Sequence, residues 1–184
     1  MTIGLRDLFK APVTEGADGK DVFGTPSRLA KAIEVDMSVE SAEAILHADD
    51  GVDQIFKEFV GGEIKININD LTPEACAELL GQRQDANGVV IAGEDDDPPY
   101  VAIGFRARKS GGRYAYVWLY KVKFEIPDEK YETKKDKIEI KTPEIVGKFM
   151  KNSDGEWKAS HVALPTDTIA TAWFTKVYRK QVAA

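Results

Sequence analysis

The sequence has 184 residues and a formal net charge of −6, with 43% hydrophobic and 30% charged residues. A chain of this length and composition can bury roughly 70% of its unfolded surface, which excludes an intrinsically disordered protein and favours one domain, residues 1–184. Because Lys and Arg supply most of the free energy of nucleic-acid backbone binding, the acidic balance also argues against a protein that grips nucleic acid.

The cysteine content and the first residues of the chain indicate the cellular compartment. Cys76 is the only cysteine, so the chain cannot form an intrachain disulfide, and the first seven residues lack the basic then apolar order of a secretory signal. A bilayer span needs about 18 consecutive apolar residues, and the sequence contains no such run. We therefore expect a protein that is made in a reducing cytoplasm and has no membrane partner.

The first 40 residues divide into an irregular and a periodic part. Residues 1–26 contain four glycines and two prolines without sustained periodicity, which predicts an extended N-terminal arm. From residue 29 apolar and polar residues alternate, which predicts a half-buried strand. Its expected inward residues are Leu29, Lys31, Ile33, Val35, Met37 and Val39, and its expected outward face carries Glu34, Asp36 and Glu40.

The middle of the chain is predicted to hold a loop, a strand and a helix. Residues 41–62 keep neither the helix nor the strand period, so we expect a long ordered loop. Strict alternation over residues 63–69 predicts a strand with its isoleucines inward. Thr72 as N-cap, Pro73 in the first turn and Gly81 as the terminator then predict a helix of about two turns.

The strongest local signal is a hairpin. A short buried strand is expected at residues 88–92, followed by an acidic loop, residues 93–99. Segments 100–108 and 113–124 flank Gly111-Gly112, which favours a two-residue turn. A two-residue turn would pair Phe105 with Trp118 and would place the apolar residues of both strands on one face. The second strand is apolar on both faces near its middle, which predicts that it is covered on two sides.

Three more strands and a helix complete the prediction. The strands are expected at residues 137–142, 145–150 and 157–162, with a turn at Asp154-Gly155. Asp167 is expected to cap a final helix with an apolar stripe formed by Ile169, Ala170, Trp173, Phe174 and Val177. The predicted class is mainly β (α+β), an antiparallel β-sandwich or barrel of about eight strands with one or two short flanking helices.

Residue types suited to catalysis are scarce. The two histidines, His47 and His161, and the one cysteine, Cys76, lie in patterns that favour structural roles. The sequence has no nucleophile elbow, phosphate loop, zinc motif or dinucleotide fingerprint. Acidic clusters at residues 49–50 and 95–97 could bind a hard cation but lack the spacing of a calcium loop, so solvated loops are favoured. We therefore predict no enzyme activity and no catalytic, metal or cofactor site.

Several segments, in their order along the chain, resemble the major tail tube proteins of long, non-contractile-tailed bacteriophages of the siphovirus type. The segments are IGLRDL (3–8), GTPSRLAKAI (24–33), EAILHADDG (43–51), PYVAIGFR (99–106), YVWLYKV (116–122), TPE (142–144) and AWF (172–174). The resemblance implies a structural virion protein with a β-sandwich fold and a flanking helix. Six copies would form a ring, and rings would stack into a hollow tube. An immunoglobulin-like domain, which follows the tube domain in some relatives, is not expected here.

The family also implies partners. Besides further copies of itself, these are the tape measure protein, the tail terminator and the baseplate or distal tail proteins, with assembly in the host cytoplasm and genomic DNA passing through unbound during ejection. In the family the N-terminal arm and the early loop contact neighbouring subunits or rings, here residues 1–26 and 41–62. The contact residues expected on this basis are Ile3, Leu5, Leu8, Phe9, Ile45, Leu46, Asp49, Asp50, Ile55 and Phe56.

In a tube, the acidic charge would act on the DNA that passes through. A negative inner wall would repel DNA phosphates and let the genome slide, and we expect Glu34, Asp36 and Glu40 to help line this channel. Two other functions remain open from the sequence. One is a soluble β-barrel or sandwich that binds a small ligand, with the aromatic hairpin as a pocket wall. The other is an enzyme that uses acidic residues with a metal.

Overall fold

The computed structural model describes residues 2–48, 51–127 and 142–181. The predicted mainly β class is confirmed, because these residues form a large antiparallel sheet of nine strands, a second sheet of two strands and two short helices. The elements are β1 (Thr2–Glu15), β2 (Asp21–Phe23), β3 (Ser27–Ala30), β4 (Ala32–Ala48), β5 (Gly51–Ile68), α1 (Pro73–Leu80), β6 (Arg83–Gln84), β7 (Val90–Ile91), β8 (Val101–Lys109), β9 (Tyr114–Phe124), β10 (Glu144–Met150), β11 (Lys158–Ala163) and α2 (Thr168–Ala172).

The large sheet has the order β2-β1-β8-β9-β10-β5-β4 and is not closed into a barrel. Two further strands lie off this path, since β11 pairs with β9 and β3 pairs with β1. β9 therefore bonds β10 along its last residues and β11 along its first residues. Every pairing in the sheet is antiparallel.

Both faces of the sheet centre are buried, as the sequence predicts for the middle of β9. One core contains Ile64, Ile66 and Ile68 of β5, which are 0% exposed as predicted, together with Leu119 and the α1 residues Leu79 and Leu80. The other core lies under α2 and contains Tyr116, Trp118, Tyr120, Trp173 and Val177. The aromatic residues of β9 thus serve core packing, in agreement with the interpretation favoured by the sequence.

The helices begin where their capping residues predict. The side chain of Thr72 accepts a hydrogen bond from the Ala75 N–H, and Gly81 ends α1 with φ 69°. The carboxylate of Asp167 accepts hydrogen bonds from the N–H groups of Ile169 and Ala170 at the start of α2. Among the described residues, no helix is long and apolar enough to cross a membrane.

The predicted N-terminal arm is wrong. Residues 2–15 form β1, which pairs with β8, β2 and β3, and Leu8 and Ala11 are 0% exposed. The strand escaped prediction because its pairing with β8 shifts register between Thr2 and Gly4 and again between Arg6 and Phe9, and such bulges destroy a regular alternation.

The predicted loop at residues 41–62 is also wrong. The segment belongs to β4 and β5, which form one long hairpin. Neither face of its outer part is buried by the rest of the chain, so no alternation of apolar and polar residues marks it. In the inner part of β4, Ile33, Met37 and Val39, which were expected to face the core, are 53%, 38% and 52% exposed, and Val35 packs against the core.

The β8–β9 hairpin exists, but its register is shifted by one residue from the prediction. Ser110, Gly111 and Gly112 form a three-residue turn, with positive φ angles at both glycines. The extra turn residue pairs Phe105 with Val117, and the partner of Trp118 is Gly104. Tyr116, Trp118 and Tyr120 of β9 therefore lie on the opposite face from Phe105, whereas Phe124 packs in the same core as Phe105.

Four other predicted strands have mixed outcomes. The strand expected at 88–92 is reduced to β7, and it is not buried, because its residue Ile91 and the adjacent Val89 are 51% and 54% exposed. β10 and β11 confirm the strands expected at 145–150 and 157–162, within one residue. The strand expected at 137–142 lies outside the described residues, except for residue 142.

Candidate assembly surface

The β4–β5 hairpin extends beyond the rest of the sheet. β10 pairs with residues 62–67 of β5, so among the described strands residues 41–48 and 51–60 pair only with each other. At about 3.3 Å per residue, the unsupported part is about 25 Å long in β4 and about 30 Å long in β5. A two-stranded ribbon of this kind is marginally stable in water when nothing covers it.

The outer hairpin presents apolar side chains to solvent on both faces. Ile45 pairs with Ile55 on one face, and Leu46 and Phe56 lie on the other because neighbouring residues of a strand point to opposite sides. These four side chains are between 47% and 56% exposed. Exposed apolar groups at this density mark surfaces that bind a partner.

The hairpin is firmly anchored at its base. Gly62 packs against the ring of Phe149, and a Cβ at Gly62 would lie 2.2 Å from the Phe149 Cζ atom. Phe59 stacks on Trp157 at 4.8 Å between ring centroids, and Lys151 forms an ion pair with Glu58 at 3.4 Å. These contacts fix the direction in which the hairpin leaves the sheet.

The polar face of the inner hairpin carries the predicted lumen residues. Glu34, Asp36 and Glu40 are all exposed and lie on one face of β4, opposite Asn67, Lys65 and Gly61 of β5. Lys65 is paired with Glu63 at 3.3 Å, and none of the three β4 carboxylates forms an ion pair with another described residue. Since β4 ends the strand order, this acidic face borders an open sheet edge.

The structure separates the predicted contact residues into three groups. Ile45, Leu46, Ile55 and Phe56 are together on the outer hairpin, as described. Leu8 is fully buried, Leu5 is partly buried against the same core, and Phe9 stacks on Phe174 at 4.6 Å, so these residues serve the subunit's own core. The side chain of Ile3, and Asp49 and Asp50 entirely, lie outside the described part.

Sequence reasoning missed Val39 and Val60 as members of the exposed apolar surface. They are 52% and 60% exposed. Val39 pairs across the hairpin with Gly62, which has no side chain to cover it. The adjacent glycines at 61 and 62 were the available signal, since glycine inside a strand often marks a bulge or a close approach of another chain.

The remaining candidate groups do not assemble into a reactive site. His161 faces the Asp167 carboxylate, with its Nε2 atom at 3.3 Å, and its ring lies beside that of Trp173, so it supports the start of α2. Within the described ranges, no three or more His, Cys, Asp or Glu residues are grouped closely enough to hold a metal ion. A scan against protein-family models and a search of curated proteins find no match for this chain.

Proposed function

We propose that this protein is a structural virion protein, the tail tube subunit of a long-tailed bacteriophage, which polymerises into stacked rings around a channel for DNA. The observation that carries the proposal is the outer β4–β5 hairpin, which is apolar on both faces and supported only at its base. A hairpin with two apolar faces needs partners on both sides, and further copies of the same chain can supply them repeatedly. The six-fold ring follows from the sequence resemblance.

The acidic face of β4 fits a channel wall. Its carboxylates are exposed and have no ion-pair partners among the described residues, so no neighbouring cation there neutralises them. Such a wall repels phosphate groups and lets DNA pass without binding. In this role the protein has no enzyme activity and acts in the virion together with the tape measure, terminator and distal tail proteins.

The small-ligand alternative has less support. It needs the aromatic side chains of β9 to line an accessible pocket, but Tyr116, Trp118 and Tyr120 are at most 2% exposed and pack in the core beneath α2. No observation in the described residues favours a ligand site over core packing there.

The direct test is the assembly state of the purified protein as its concentration rises. We expect sedimentation and negative-stain electron microscopy to show rings or tubes that replace monomers. The variant Ile55→Ser/Phe56→Ser should fold, with an unchanged circular dichroism spectrum, and remain monomeric. Val162→Ser/Leu164→Ser is the matched control, because Val162 and Leu164 are 47% and 51% exposed away from the hairpin, and it should assemble normally.

Two outcomes would count against the proposal. A wild-type protein that stays monomeric at every concentration would contradict self-assembly. Tubes of normal length from the hairpin variant would show that the hairpin is not the assembly surface.

The channel assignment has its own test in infecting particles. Glu34→Lys, Asp36→Lys and Glu40→Lys together should leave tubes intact and slow DNA ejection, since DNA would then be attracted to the wall. Normal ejection kinetics would show that these residues do not line the channel.

A further inference from the structure

One end of the β1–β8–β9 region is strongly basic although the whole chain is acidic. Here the start of β1 lies beside the end of β8, so that Thr2 pairs with Lys109 and Gly4 with Arg108. The basic side chains of this end, which we call the basic end, are Arg6, Arg28, Arg106, Arg108, Lys109 and Arg113. A single carboxylate in their midst, Asp7, bonds Arg28 and Arg106.

Within the part of the subunit that the structure describes, ion pairs balance little of this positive charge. Among the described residues, no carboxylate forms an ion pair with Arg6, Arg108, Lys109 or Arg113. Arg6 and Arg106 even stand directly opposite each other in the β1–β8 register. Like charges at such positions are destabilising. The isolated subunit therefore carries an electrostatic cost at this end that carboxylates from a partner would relieve.

The opposite end of the same strands is acidic. Pro12 pairs with Val101, and the Val13 N–H donates to the Tyr100 carbonyl, so residues 15–20, at the end of β1, and the loop at 93–99, which precedes β8, both adjoin this end of the two strands. These two segments, which we call the acidic end, contain Glu15, Asp18, Glu94, Asp95, Asp96 and Asp97 against one basic residue, Lys20. Asp97 is paired with Lys123, while Glu94 and Asp95 are exposed and have no ion-pair partner among the described residues.

We infer that the basic end of one subunit docks against the acidic end of a second copy of this chain, so that subunits in successive rings associate head to tail along the strand direction. The inference rests on the proposed function, because it names the contact that stacks the rings. The two ends are separated by the nine residues of β8, a distance of about 26 Å. A contact between two different patches at opposite ends generates an open filament instead of a closed dimer.

Nucleic acid is the other partner that a basic surface can attract. The chain favours a second copy because it supplies the complementary charge itself, on the far end of the same strands, and because its net charge of −6 repels phosphate at longer range. The two partners also differ in their consequences, since DNA bound at the basic end would compete with assembly.

Charge reversal at each end tests the inference. Arg108→Glu/Arg113→Glu changes two exposed residues that make no ion pair in the described chain, and Glu94→Lys/Asp95→Lys does the same at the acidic end. Each pair should raise the concentration needed for tubes by about tenfold or more, because every subunit of a ring repeats the change. The chain that combines all four substitutions keeps little net charge at either end, so it should assemble no better than the chains changed at one end.

Two further measurements complete the test. Lys176→Glu/Lys180→Glu reverses two exposed charges that belong to neither named set of residues and should not change assembly. Wild-type assembly should weaken as salt rises from about 0.1 M to about 1 M, where the screening length falls from about 10 Å to about 3 Å. Circular dichroism confirms that each variant is folded.

The outcomes separate the inference from the proposed function. Normal tubes from Arg108→Glu/Arg113→Glu overturn the inference while the proposed function stands. Normal tubes from Glu94→Lys/Asp95→Lys also overturn it, because the acidic end would then not be the partner of the basic end. Loss of binding to a short DNA duplex in Arg108→Glu/Arg113→Glu, with assembly unchanged, would identify a nucleic-acid surface instead. A wild-type chain that never assembles contradicts both.

Discussion

Replacing Gly104 with alanine should destabilise the subunit without touching its surface. Gly104 lies opposite Trp118, and a Cβ there would be 2.6 Å from the Trp118 Cζ3 atom and 2.7 Å from Cε3 and Cη2. To reach ordinary contact the indole must retreat by about 0.8 Å. Trp118 is 0% exposed, and its Nε1–H donates to the Trp173 carbonyl at 3.0 Å, so this shift would disturb the segment that follows α2.

The expected cost is that of an overpacked core, about 1–3 kcal/mol in the free energy of unfolding. For a chain of this size each kcal/mol lowers Tm by about 2–4 °C. Urea unfolding at a concentration below that of assembly, followed by tryptophan fluorescence, measures the change. Gly4→Ala is the matched control, because nothing lies within 4 Å of its Cβ position, and it should lose no stability.

A double substitution tests the mechanism. Trp118→Leu removes the ring that Gly104→Ala collides with, so the two changes together should cost clearly less than the sum of their separate effects. Additive costs, or a Gly104→Ala protein as stable as the wild type, would refute the close packing of Gly104 on Trp118.

Substitutions at three other residues probe single interactions. Desolvation raises the pKa of Tyr120 from 10.0 to about 12, so stability present below pH 10 should fall by at most about 2–3 kcal/mol as pH rises to 12, and Tyr120→Phe should flatten this fall in urea titrations. Asp7 has a φ of 53° and bonds two arginines. Asp7→Asn should lower the free energy of unfolding by about 1 kcal/mol, measured by urea unfolding. Asp7→Ala should lower it more, because Asn tolerates positive φ and Ala does not. The hydrogen bond from the Ala170 N–H, with smaller contributions from the other hydrogen bonds to the same carboxylate, lowers the pKa of Asp167 below 3.8. The stability that this carboxylate gives to α2 is present above pH 3.8 and should be lost as pH falls through the lowered pKa. Because Asp167→Asn lacks this stability from the start, acid-induced changes in Trp173 fluorescence should begin at higher pH in that variant.

The sequence predicted best where one local rule determined the outcome. Thr72, Pro73 and Gly81 define the ends of a short helix, and the isoleucines of residues 63–69 alternate with polar residues because one face is buried. Asp167 likewise marked the beginning of α2. Each of these signals depends on neighbours in the chain and needs no knowledge of the tertiary structure.

The predictions failed where the structure depends on distant parts of the chain. β1 lacks a clear period because two bulges interrupt its pairing with β8. The β8–β9 register depends on whether the turn has two or three residues, and Ser110 with Gly111-Gly112 permits both. Of the assembly surface, the sequence identified the apolar residues of the outer hairpin but assigned them to a loop, since a strand exposed on both faces carries no inward-outward alternation.

If the chain polymerises as proposed, the anchoring of the hairpin base at Gly62 bears on the speed of polymerisation. Phe149 fills the space beside Gly62, and Phe59 is held on Trp157, so the base of the hairpin points in one direction before any partner arrives. The entropy of orienting this base is lost during folding of the monomer, and association does not have to supply that free energy again. Only the outer part of the ribbon would then have to become ordered as each new copy docks on a growing tube.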